Sequence, residues 1–155
     1  MTMTFHKQLI PDHNPEEGKI GDCYRTAIAC LLGLHPAEVP HFVEVNMDDG
    51  EATYKAVQEW LAKQDMTLLR VLYPASNSFD DIVTSVSIVN PGIPFMICGK
   101  SKRGTNHVVI CQDGEILHDP SSKAQPGEGL IGAADEEYWW VEFIGVHVHV
   151  RRSLR

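Results

Sequence analysis

No stretch of this sequence approaches the ~20 consecutive apolar residues that a helix needs to cross a bilayer. The opening segment "MTMTFHKQLIPDHNPEEG" carries no apolar run of the kind that forms a signal-peptide core. A membrane partner is therefore not expected, and the chain reads as soluble and cytoplasmic. Basic residues are few: 13 Lys and Arg stand against 21 Asp and Glu, for a formal net charge of −8, and they cluster only in "RRSLR" and more weakly in "GKSKRG". Such a chain is poorly built to neutralise phosphates, which argues against nucleic acid as a partner. The four cysteines, at 23, 30, 98 and 111, have no CxxC spacing and lie in or beside apolar segments. Free thiols, buried or reactive, are expected in place of a disulfide framework or a zinc knuckle. A metal site from Cys98, Cys111 and nearby histidines lacks any closely spaced ligand pair, so no metal or other cofactor is expected. Nothing repeats and nothing resembles a linker, and 155 residues at 43% apolar suit a single domain over 1–155 with one core.

The first element is a helix from about Cys23 to Leu32, with apolar positions 24, 27, 28 and 31 at helical spacing and Gly33 suited to a left-handed turn after its end. "HPAEVPHF" follows as a turn or a single helical turn that Pro40 stops. Residues 51–64 place Tyr54, Val57, Trp60 and Leu61 on one stripe, the pattern of an amphipathic helix. Residues 67–73 are strand-like. "SNSFDDIVTSVSIV" opens with a cap signature at Ser78, yet its β-branched tail leaves helix and strand both open. Strands are then expected over 93–101, 105–111, 115–119 and 138–150. Helices first and an antiparallel sheet afterwards make an α+β arrangement.

Cys23 stands where the first helix begins, and that position bears on its chemistry. Exposed amides and the positive end of the helix dipole stabilise a thiolate, and the backbone N–H of Cys23 itself points to where an attacked carbonyl would build negative charge. Asp22 fits the entry turn as an N-cap or Asx-turn residue, and Gly21 offers a place where substrate approaches the backbone. The competing reading is that Cys23 is a small core residue, the role that suits Cys30 better, because Cys30 lies inside the helix among Ala29, Leu31 and Leu32.

A nucleophilic cysteine needs a base and the base needs an orienting group. Of the eight histidines, His6, His13, His35 and His41 lie in loop-like sequence, and His147 and His149 sit in the alternating tail "VHVHV". His107 opens "HVVICQDGEILHDP", two strand-like runs joined at "QDG", with Asp119 at the far end. A two-residue Asp113-Gly114 turn would pair Gln112 with Glu115 and aim Asp119 at the other face of the sheet. A three-residue loop with Gly114 in a left-handed bulge would pair Cys111 with Glu115 and set His107 across from Asp119. The second register is predicted, with His118 on the opposite face in a structural or surface role and Asn106 a strand-edge residue beside the site. A generic hairpin with a polar edge is the alternative.

Together, "GDCYRTAIACLLGL" and "NHVVI…DGEILHDP" resemble the papain-like cysteine peptidase superfamily, in which Cys begins the first helix and His and Asp or Asn follow on later strands. More narrowly they resemble the bacteriocin-processing C39-like peptidases and small papain-like proteins of tailed phages. The resemblance implies an α+β papain-like fold in which the helix bearing Cys23 packs on an antiparallel sheet bearing His107 and Asp119. It also implies that a glutamine ahead of the nucleophile helps bind the oxyanion. Gln8, on strand-like "FHKQLIP", is the position that matches, although it stands further from Cys23 than the family pattern has it, so that "DHNPEEGKI" must loop out.

The expected function is a cysteine-dependent hydrolase cleaving a peptide or isopeptide-type amide through Cys23, His107 and Asp119, with Gln8 and the Cys23 N–H as oxyanion donors and Gly21, Asp22 and Asn106 lining the substrate. Its partner is then a peptide or protein substrate. Acyl transfer or deamidation by the same triad, and a non-catalytic phage-type module that grips a host protein, are the alternatives. Trp139 and Trp140 point to opposite faces if strand-like, one into the core and one toward a groove. "NMDDGE" reads as a solvated turn and helix cap.

Overall fold

The structure, a computed structural model, describes residues 2–47 and 49–148. Helices α1 (Cys23–Leu32), α2 (Phe42–Val45) and α3 (Gly50–Ala62) come first, and β1 (Met66–Pro74) leads to α4 (Phe79–Val89). The chain then runs through β2 (Phe95–Lys100), β3 (Asn106–Gln112), β4 (Glu115–His118), the two-residue β5 (Gly132–Ala133) and β6 (Tyr138–Val146). All strand pairs are antiparallel, in the order β1-β6-β2-β3-β4, with β5 on the end of β2. The class is α+β with an antiparallel sheet. None of the helices is long and apolar enough to cross a membrane among the described residues.

Local chemistry explains the boundaries. Gly33 closes α1 at φ 70°, and an added Cβ would meet the Thr2 carbonyl oxygen at 2.3 Å. Asp49 caps α3 by accepting the Ala52 N–H, as the acidic turn leads one to expect. Asp48 of the same turn lies outside the described residues. The segment that left helix and strand open is a helix: Ser78 Oγ accepts the Asp81 N–H, and Ile82, Val83 and Val86 form its buried stripe. Its β-branched tail is tolerated because Ile88 and Val89 stand in solvent, where no pleated neighbour rewards a strand. The last strand ends at Val146, shorter than the expected run to 150; His149 and Val150 lie outside the described residues.

The sheet is covered on both faces. On one, Tyr24, Ala27 and Ile28 of α1 and Val57 and Leu61 of α3 pack on Leu68, Met96, Cys98, Val108 and Ile110. On the other, α4 packs on Phe95, Ile97, Val109, Cys111, Trp139 and Val141. Burial on both faces is why "FMIC" and "HVVIC" read as unbroken apolar runs with no alternation.

The β3–β4 hairpin departs from the predicted register. Asp113 and Gly114 both have positive φ, 51° and 87°, as a two-residue type I′ turn requires, and Gln112 pairs with Glu115. The three-residue loop is therefore not formed, and this turn alone would send Asp119 to the wrong face. A bulge corrects it: Cys111 pairs with Ile116 but Ile110 pairs with His118, so Leu117 is an extra residue in β4. One added residue reverses the alternation, and Asp119 returns to the face of His107. The juxtaposition survives, but by a route the loop chemistry did not show.

At Gly99 a Cβ would lie 2.6 Å from the Gly132 carbonyl oxygen and 2.6 Å from the Trp139 ring. Gly99→Ala is expected to lower stability by about 1–3 kcal/mol in urea unfolding. Gly145→Ala, whose Cβ would meet only Thr67 and Leu69 side chains at 3.6 and 3.9 Å, should change it by no more than about 0.5 kcal/mol.

Candidate active site

Cys23 is the first residue of α1 and is half-exposed, whereas Cys30, Cys98 and Cys111 are buried. No side chain caps the helix start, and the Cys23 N–H has no acceptor among the described residues. Asp22 occupies the N-cap position without making the expected cap bond. Its carboxylate is fully buried and turned the other way, accepting Leu9 N–H at 3.3 Å, Ile10 N–H at 2.9 Å and Arg25 Nε at 3.0 Å. Its work is thus to hold an incoming segment, and it does not face the cleft.

That segment carries Gln8. Residues 5–11 are not a strand, contrary to the expectation from "FHKQLIP", because their amides find scattered partners: His6 N–H to Cys30 Sγ, Gln8 N–H to Pro120 O, and Leu9 and Ile10 N–H to the Asp22 carboxylate. The intervening stretch does loop out, closed by the Asn14–Lys19 bridge around a 3-10 turn at Pro15–Glu17. Gln8 reaches the cleft beside Cys23, where its Nε2 donates to Ile10 O at 3.0 Å and lies 3.6 Å from where a Gly21 Cβ would sit. Gly21 donates its N–H to His13 Nδ1 and packs beneath Gln8 and His13, so the space a side chain would take there belongs to the protein.

His107, 5% exposed at the start of β3, places Nε2 2.6 Å from Asp119 Oδ1, which also accepts the Ser121 N–H at 2.8 Å. Lys7 Nζ donates to the carbonyls of Asp119 and Ser121 and pins that turn. Cys23 is the other group that strengthens the ring's hold on a proton, and because Asp119 takes Nε2, Nδ1 is the nitrogen left to meet the sulfur. Burial disfavours the charged imidazole, but hydrogen bonds with Asp119 and Cys23 outweigh it and lift its pKa from 6.5 to about 9. Burial pushes Asp119 up, and the bond to His107 more than offsets this, leaving it below the usual carboxylate value. The two shifts agree on an imidazolium–carboxylate pair.

Cys23 and His107 lie between two lobes of a cleft. The smaller, about 310 Å³, is lined by Gln8, Asp12, Lys123 and other polar groups, and the larger, about 580 Å³, by Tyr24, Val108 and Trp140 among others. Gly21 and the exposed Asn106 border both; Asp22 borders neither. His118, expected in a structural or surface role, bonds His6 O through Nε2 at 2.7 Å on the face away from Asp119. His41, placed in a loop, is nearly buried and holds Ile20 O at 2.9 Å. Trp139 is core and Trp140 lines the larger lobe. No group of three or more His, Cys, Asp or Glu that could hold a metal ion exists among the described residues.

No family model, curated protein or solved structure matches this chain. What the site can do must be read from its own geometry. Residues not singled out in the sequence also shape it: Arg70 and Glu142, cross-strand partners on β1 and β6, join side chains at 3.0 Å beneath the larger lobe. The available signal was one charge of each sign in otherwise apolar strands, "TLLRVLY" and "YWWVEFIGV".

Because His107 holds its proton more tightly folded than at its ordinary 6.5, its contribution to stability is complete below about pH 6.5 and is lost as pH rises through about 9. His107→Gln should flatten the decline in unfolding free energy over that window. In an NMR titration the His107 ring is expected to change charge near 9 and Asp119→Asn to move the midpoint down; a wild-type midpoint at 6.5 would show the pair is not formed.

Proposed function

We propose that this chain is a papain-like cysteine hydrolase that cleaves a peptide or isopeptide-type amide. The observation that carries the reading is that Cys23 of α1 and His107 of β3 line one open cleft while Asp119, just after β4, bonds His107 Nε2. In the resting pair His107 already carries on Nδ1 the proton taken from the Cys23 thiol, while Asp119 holds the opposite nitrogen and balances the ring's charge. The sulfur attacks the amide carbon, and the carbonyl π electrons move to oxygen. The oxyanion accepts hydrogen bonds from the Cys23 N–H and from the Nε2 hydrogen of Gln8 that Ile10 does not use. His107 then returns its proton to the leaving nitrogen, the C–N bond breaks and a thioester remains. Water, deprotonated by His107, attacks the thioester; the acid leaves and the thiol is restored. An amine in place of water would make the same chemistry an acyl transfer.

Iodoacetamide with peptide mapping tests the reading. Cys23 should label before the three buried cysteines, and His107→Ala should slow it by at least about tenfold. Cleavage of a peptide library should fall by about 10³-fold or more in Cys23→Ala. Equal, slow labelling of all four thiols would favour a binding protein instead. Gln8→Ala is expected to lower kcat by about 10²-fold with KM little changed, the signature of a lost oxyanion donor.

A further inference from the structure

The floor of the larger lobe carries a binding chemistry that the hydrolytic mechanism does not use. Glu142, fully buried, accepts hydrogen bonds from Arg70 Nε at 3.0 Å, Tyr24 Oη at 2.8 Å and Cys98 Sγ at 3.6 Å. Burial, then the adjacent carboxylate, pushes the Tyr24 hydroxyl and the Cys98 thiol well up, so both stay protonated and both stay donors. The charge of Glu142 is therefore shared among three donors, and Arg70 gives it only one nitrogen.

The rest of Arg70 is held in place without being used. Its guanidinium carbon lies 4.4 Å from the Tyr54 ring centre and 4.7 Å from that of Trp140. Two aromatic contacts and a buried carboxylate fix the plane, the preorganisation that makes arginine a selective partner for planar anions. Both terminal nitrogens lack an acceptor among the described residues, and the side chain, 23% exposed, lines the lobe. Lys100 lines the same lobe, and its ammonium has no acceptor among the described residues. Asp49, the carboxylate on that wall among the described residues, is engaged in capping α3. Val43, Val108 and Ala134 supply apolar wall to the same lobe.

We propose that the larger lobe is a side-chain pocket for a glutamate of the substrate, its carboxylate received by the terminal nitrogens of Arg70 with Lys100 beside it and its methylenes against the apolar wall. The pocket rests on the proposed hydrolase reading only for the word substrate; the binding itself needs no reaction. Bidentate geometry favours a carboxylate over the neutral amide of glutamine, which can accept through only one oxygen.

The test uses the 155-residue chain carrying Cys23→Ala, which cannot turn substrate over, titrated calorimetrically with tripeptides, as C-terminal amides and as free acids, carrying Glu or Gln at each position in turn. At one position Glu is expected to bind at least about tenfold more tightly than Gln. The preference should vanish in Arg70→Gln and shrink in Lys100→Gln, an exposed change that leaves the core intact. Should Arg70→Gln unfold because Glu142 loses its cation, Arg70→Gln combined with Glu142→Gln takes its place. A C-terminal acid preferred over its amide, with no preference for Glu, would overturn the side-chain pocket. So would equal affinity for Glu and Gln, or a preference that persists without Arg70. A preference for Glu in a protein whose Cys23 proves unreactive would keep the pocket and remove the hydrolase; cleavage without the preference would do the reverse.

Discussion

A carboxylate deep in a protein costs several kcal/mol of lost hydration unless its oxygens are fully bonded. Asp22 meets that demand by collecting two backbone N–H groups of the Leu9–Ile10 turn and the guanidinium of Arg25. The consequence runs outward from there. The N-terminal segment is fastened against the start of α1, Gln8 is delivered beside Cys23, and the helix start is left with an uncapped amide where a capping side chain would otherwise sit. A residue that reads as a cap thus gives up that bond, and the first turn of α1 stays open toward the cleft.

The sheet supplies the other half by a similar economy. His107 is fixed by β3, and Asp119 follows the end of β4 where Lys7 and Ser121 hold its backbone and carboxylate. The N-terminal segment therefore touches both halves, through Asp22 at one end and through the Asp119–Ser121 turn at the other. Cys23, His107 and Asp119 are held by segments that the same short stretch of chain ties together.

Much of this was legible in the sequence because the signals were local. The spacing of Tyr24, Ala27 and Ile28 with Gly33 behind them specifies α1, Ser78 specifies the start of α4, and the position of Cys23 at a helix start needs no tertiary knowledge. The failures were of three kinds. Residues 5–11 look like a strand from their composition, but strand formation depends on a neighbour offering a ladder, and here they find only isolated partners. The Arg70–Glu142 pair depends on β1 and β6 lying side by side although 72 residues apart, a separation that no local pattern carries. The hairpin shows a third limit: the turn residues Asp113 and Gly114 announce their own geometry, while nothing in "EILHD" announces the bulge.

That bulge makes the length of β4 a matter of parity. Side chains in a pleat alternate with period two, so the chain between Gly114 and Asp119 counts as odd or even before it counts as long or short. Descendants of this gene can exchange the residue at Leu117 freely, since it is partly exposed. They cannot lose it alone. Removing one residue turns the carboxylate to the far side of the sheet, and only a second removal or a matching insertion brings it back, so lineages should vary here in letters and stay constant in number.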